Sequence, residues 1–300
     1  MSTANVLIEE LGPRGKRRVR IATVVAAVVG ALLIYWVYVK LSDNGQLEAA
    51  RWTDLFDSAT LEFLGRGLLA TLQAAVTAGA VALVLGLALA LLRLSRSRIA
   101  SWGAVAWVEL FRGLPLLLLI FGVFAIDTTW ARSRGGDAFL GTFWSVVVAL
   151  VLYNSAVLSE VFRAGVRSLD SGQTEAAQSI GMSYRQAMSI VVLPQAIRRM
   201  VPTIVAQMAT LTKDVSLGFV IGYEEFVRRG TSTPNFGGTE VTNFQAYVSI
   251  GIVYFFIVWG MAKLAQWLET RQQRIPKTAG AGGADPNIGL ALDERMGAAP

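Results

Sequence analysis

The sequence predicts an all-α, polytopic membrane protein with six transmembrane helices, and three observations carry that expectation. Of 300 residues, 54% are apolar and only 16% charged, well short of the roughly 25% charge of soluble domains. Several uncharged runs match the roughly 20 residues of helix that a hydrocarbon core of about 30 Å requires. The basic residues are distributed asymmetrically about those runs.

Four spans are uncharged throughout: Ile21 to Val39, Gly67 to Leu92, Ala138 to Ser159 and Val241 to Ala262. Two more are interrupted, Ile99 to Ile126 by Glu109 and Arg112, and Met200 to Tyr223 by Lys213 and Asp214. The first span is too long for the apolar region of a cleaved signal and ends in Tyr35-Trp36-Val37-Tyr38 instead of a small-residue cleavage site, so it reads as a retained helix with an aromatic belt. In the second, Ala70, Ala74, Ala78, Ala82, Gly86 and Ala90 recur every four residues, as a helix-packing face in lipid requires; pore lining is the alternative. In the third, Glu109 and Arg112 can pair on one helix face, and Gly113-Leu114-Pro115 predicts an interfacial segment followed by a shorter inserted one. With the N-terminus inside, 19 Lys and Arg fall on the inner side and seven on the outer, which places both termini in the cytoplasm. The net charge of +6 is accounted for by this orientation and calls for no nucleic-acid partner. Pro276 to Pro300 shows no helical pattern and is expected to be disordered.

The chain has neither His nor Cys, which removes the usual general base, the usual metal ligand and any thiol chemistry. No Gly-x-x-x-x-Gly-Lys-Ser/Thr stretch is present, so nucleotide hydrolysis is not expected of this chain.

Glu160 to Arg199 is too long for a mere connector. Its signals predict a helix from about Ser171 to Ile180, stopped at Gly181, and a second beginning at Ser183 with Gln186 completing a capping box, bent or interrupted by Pro194. The spacing of Glu175-Ala176-Ala177, Gly181, Val191 and Leu193-Pro194 resembles the EAA motif of ATP-binding-cassette importer permeases. Phe111-Arg112-Gly113-Leu114-Pro115, Gly172-Gln173, Leu193-Pro194-Gln195-Ala196 and Lys213-Asp214-Val215-Ser216-Leu217 resemble signatures of its polar amino-acid branch, with Leu114 where Thr is usual. The resemblance covers about residues 62 to 270. It implies a type I importer transmembrane domain with its coupling loop at 170 to 194, preceded by a basic N-terminus (1 to 20) and an extra first helix with its outer loop (21 to 61), and followed by the tail at 271 to 300.

The same resemblance implies that Gly172, Glu175, Ala176, Ala177, Gly181, Leu193 and Pro194 form the element that docks on a separate ATPase subunit, which carries the ATP and magnesium; this chain itself binds no cofactor and is no enzyme. It also implies a second permease subunit, with a hetero-pair favoured over a homo-pair, and an extracytoplasmic substrate-binding protein that engages the polar outer loop at 222 to 246. The extra first span and cationic N-terminus resemble those of actinobacterial glutamate or glutamine permeases. Lys213 and Asp214 lie at membrane depth and point about 100° apart on a helix, so two readings stay open: they line the substrate pathway, to which Glu160 and Arg112 are also assigned, or they form interhelical salt bridges to Glu160 or Arg112. An ion-coupled carrier and a non-transporting scaffold are the competing functional readings.

Overall fold

The computed structural model describes residues 12–95, 97–235 and 241–273, and among them the regular structure is entirely helical. In chain order the helices are α1 (Pro13–Asp43), α2 (Ala49–Thr53), α3 (Ser58–Arg93), α4 (Arg98–Gly113), α5 (Leu116–Ser133), α6 (Gly141–Arg167), α7 (Ser171–Ser179), α8 (Tyr184–Gln186), α9 (Leu193–Asp214), α10 (Phe226–Ser232) and α11 (Asn243–Gln273). Six helical stretches are long and apolar enough to cross a membrane: α1, α3, α5, α6, the segment Tyr184–Ile221, and Asn243–Arg271 within α11. Residues 1–11, the Gly237-Gly238 part of the outer loop and the tail from 274 lie outside the described residues.

Three boundaries differ from the sequence expectation. The basic stretch Arg14 to Arg20 is the first two turns of α1 and not a separate segment, because Pro13 pre-sets the helical φ at its start. The third span is Leu116–Ser133 and ends beyond Ile126; the expected break at Gly113-Leu114-Pro115 is present, the backbone going extended at Leu114 (ψ 138) and Pro115 (ψ 129) between α4 and α5. The fifth span begins well before Met200, and Pro202 does not break it. That proline lies inside α9, and Ala187–Val192 before α9 winds as a π-helix. Pro194 has no N–H to donate, and the widened turns ahead of it absorb that loss without ending the helix.

Two units divide the chain, residues 1–72 with 222–254 and residues 73–221 with 255–300. In the first, Gln46 is a hub. Its carbonyl accepts from Gln245 Nε2 (2.7 Å) and Trp52 Nε1 (3.0 Å), and its Oε1 accepts from Thr242 Oγ1 (2.7 Å). These bonds tie the loop after α1 to the start of α11. Leu64, Phe226 and Ile250 form an apolar cluster with α10, and a Cβ on Gly230 would press on the Ile250 side chain, which would have to shift.

The second unit packs α3, α6 and α9 through Ala82, Ala90, Leu158, Phe162, Ala196 and Met200. The four-residue stripe on α3 is a packing face: Ala74, Ala78 and Ala82 are fully buried, and a Cβ on Gly86 would sit 2.8 Å from Leu158 Cβ. Close backbone approach of this kind is how helices associate where lipid competes equally for apolar side chains. Polar pairs supplement it, Gln207 Nε2 donating to Asn154 Oδ1 (3.0 Å) and Trp107 Nε1 to Ser155 Oγ (3.4 Å). Buried Asp127 on α5 accepts from the backbone N–H groups of Phe139, Leu140 and Gly141 at 3.0–3.1 Å, capping α6 from a distance.

Candidate coupling helix and intramembrane charges

α7 is defined at both ends by side-chain and backbone chemistry. Asp170 accepts from Gly172 N (2.8 Å), supplying the N-cap. At the other end Met182 N donates to Ala177 O (3.2 Å) and Gly181 N to Gln178 O (2.9 Å), a Schellman arrangement that requires the left-handed conformation Gly181 adopts at φ +89°. Two residues later the chain restarts: Ser183 N donates to Gln186 Oε1 (2.8 Å) while Ser183 Oγ accepts from Gln186 N (3.4 Å), a complete capping box. The product is a helix of nine residues, about 13 Å long, with a fixed exit direction.

The predicted set divides by exposure. Gly172, Glu175, Ala176 and Gly181 are exposed, Ala177 is buried, Leu193 is half-buried and Pro194 exposed. Ala177 therefore seats α7 on its own protein, with Gln195 Nε2 donating to Gln173 Oε1 at 3.4 Å as a second tie. The outward face carries Gly172, Glu175 and Ala176, and the Glu175 carboxylate has no hydrogen-bond or ion partner among the described residues. Ile180, 75% exposed at the end of this polar helix, extends the face. Sequence reading treated it only as a boundary, although an apolar residue at the exposed end of so short a helix is a visible signal.

Glu160 and Arg112, both singled out from sequence, are brought together, but two unforeseen arginines dominate. Arg93 Nη1 donates to Glu160 Oε1 and Arg163 Nη2 to Oε2, each at 2.6 Å, while Arg112 Nη1 stands 3.7 Å from Oε1 and bonds Glu109 at 3.2 Å. Arg163 was legible through its i,i+3 spacing from Glu160; Arg93, far away in sequence, was not. A cavity of about 480 Å³ opens beside Glu160, lined also by Gly165, Arg199 and Thr203.

Lys213 and Asp214 are not part of this cluster. They sit at the end of α9, where the helix tightens into the 3₁₀ segment Val215–Ile221. Lys213 is exposed and Asp214 half-buried, and neither has a salt-bridge partner among the described residues. The interhelical salt-bridge reading is therefore not what the structure contains.

In the outer loop, Glu224 and Glu225 look alike in sequence but behave differently. Glu224 is exposed beside Arg228 (3.5 Å) and Arg229 (3.9 Å). Glu225 is fully buried and caps α10, accepting from Val227 N (2.9 Å) and Arg228 N (2.7 Å); burial pushes its carboxyl up to about 7.

Residues 82–274 match the family described as binding-protein-dependent transport system inner membrane component. The glutamate transport system permease protein GluD of Corynebacterium glutamicum is 36% identical over 256 residues, covering 85% of this chain and 89% of that protein. The probable glutamine ABC transporter permease protein GlnP of Bacillus subtilis is 36% identical over 71% of this chain and 94% of its own. Among solved structures, an amino acid ABC transporter crystallised with histidines superimposes with a TM-score of 0.62 at 28% identity, over 70% of this chain and 94% of that one. The MetNI methionine ABC transporter, at 19% identity and a TM-score of 0.56, shares the fold. The α7 loop, the six spans and these matches agree, and the chain belongs to the binding-protein-dependent transport system inner membrane components.

Proposed function

We propose that this chain is the membrane-spanning subunit of an ATP-driven importer of polar amino acids, glutamate or glutamine foremost, with both termini cytoplasmic. The observation that carries the reading is α7: a short, doubly capped helix that exposes small residues and one unpartnered carboxylate. Small residues allow a partner's backbone to come close, and a free carboxylate gives one directional, charge-assisted contact. Residues 170 to 194 then act as the coupling loop. Closure of paired ATPase subunits on ATP pulls the coupling helices of two permease subunits together and drives alternation between inward- and outward-open states. The second permease is a related but different chain, and a binding protein delivers substrate to the outer face.

Lys213 and Asp214, at membrane depth and without a salt-bridge partner among the described residues, are proposed to line the passage or its gate. The relatives named for glutamate and glutamine transport support the substrate class. The test is co-purification with an ATPase subunit followed by uptake of labelled glutamate and glutamine into vesicles with and without internal ATP. ATP-dependent uptake supports the reading. Uptake that survives without ATP but collapses with the proton or sodium gradient identifies a secondary carrier instead, and partner binding without flux identifies a scaffold.

A further inference from the structure

A groove of about 600 Å³ lies between the end of α3 and the segment 183–193, the second half of the proposed coupling loop, and the transport reading assigns it no ligand. Its volume falls in the range of small-molecule sites, roughly 300–1,000 Å³. Leu91, Leu94 and Met188 give it an apolar lining, Ser97 and Arg185 line it as well, and Tyr184 joins its two segments by donating its hydroxyl to Leu94 O at 3.2 Å.

Two features select an occupant. The uncharged run of α3 ends at Leu92, one residue before Arg93, and Tyr184 bonds to Leu94 just beyond it, so the groove lies where the hydrocarbon region meets the headgroups. Arg185 also differs from Arg93, Arg112 and Arg163, each of which has a glutamate: its guanidinium has no acidic partner among the described residues. Ser97 Oγ accepts from Ala100 N at 3.4 Å and keeps its own proton to donate. An apolar lining beside an unsatisfied planar cation fits an amphiphile with an anionic phosphate, because guanidinium matches phosphate oxygens with paired donors.

We propose that this groove binds an anionic phospholipid of the adjoining leaflet, with its phosphate on Arg185 and Ser97 and its acyl chains along Leu91, Leu94 and Met188. The site depends on the membrane placement of the spans and not on what the protein transports.

The test reconstitutes the complete purified complex into bilayers containing phosphatidylglycerol or phosphatidylcholine with diazirine-bearing tails, and maps cross-links by peptide mass spectrometry. Phosphatidylglycerol should label 91–97 and 183–193 roughly fivefold more than phosphatidylcholine. Arg185→Gln should reduce it to the phosphatidylcholine level, Arg185→Lys should keep most of it, and excess inorganic phosphate should leave it unchanged. Equal labelling by the two lipids, or labelling indifferent to Arg185→Gln, overturns the proposal. So does competition by phosphate, which makes this a soluble-anion site, or protection of both segments by the ATPase subunit, which makes it a protein interface.

Discussion

α1 and α6 are both long and apolar enough to cross a membrane, and α1 is the more hydropathic of the two, yet none of the apolar window of α1 is buried and 67% of that of α6 is. The sequences explain the inversion. α1 carries small residues too, Ala26, Ala27, Gly30 and Ala31, but between Ile21 and Val39 its one non-aromatic polar side chain is Thr23, whose hydroxyl bonds Val19 O of the same helix; α6 has Ser145, Asn154, Ser155 and Ser159, all buried. Lipid tails satisfy Leu as well as protein does; polar residues are the ones that gain from a helix neighbour. Hydropathy therefore reports that a helix crosses, and polar content reports what it packs against.

The strongest challenge to this contrast is a pair of glycine substitutions. Gly86→Leu, where a Cβ already meets Leu158 and Ser155 O at 2.8 and 3.0 Å, should cost roughly 3 kcal/mol or abolish assembly, while Gly30→Leu on α1, with nothing within 4 Å, should stay within about 0.5 kcal/mol. Melting temperatures of both variants in one detergent decide it, and comparable losses would refute the contrast.

Charged positions give a second pairing. Glu160→Gln leaves Arg93 and Arg163 without their carboxylate and should destabilise by about 3 kcal/mol, whereas Lys213→Met removes no pair and should express and melt like the parent while slowing uptake. Unchanged uptake by Lys213→Met would remove that residue from the pathway. Asp127→Ala should cost about 1–2 kcal/mol by stranding three backbone donors at the start of α6, seen as faster hydrogen exchange at 139–141.

The smallest effect concerns pH. Because burial raises the Glu225 carboxyl from 4.5 to about 7, its contribution to stability is fully present below pH 4.5 and is lost as pH rises through about 7. The melting temperature should fall by a few degrees between pH 5 and 8, and Glu225→Gln should flatten that slope.

Membrane crossing, the α3 packing stripe and the capped α7–α8 turn were legible because each depends on residues close in sequence: the four-residue spacing from Ala74, the glycine at 181, the Ser183–Gln186 box. What escaped was long-range or depended on burial. Nothing local tells that Asp127 reaches the loop at 139–141, that Arg93 pairs with Glu160, or that Glu225 is buried while Glu224 is not. The π-helical turns at Ala187–Val192 were also hidden, since Pro194 alone predicts a bend or an interruption and only the tertiary context decides that the helix continues.

The central claim is that α7 transmits work from a separate ATPase. The chain contains no cysteine, so Ala176→Cys supplies a unique thiol on the outward face of α7. Short-spacer cross-linking in the purified complex, compared with Gly30→Cys on α1, should join position 176 and not position 30 to the ATPase subunit, with a yield that changes between nucleotide-free and ATP-bound states. An ATPase that binds the complex without cross-linking at position 176 in any nucleotide state would contradict the account.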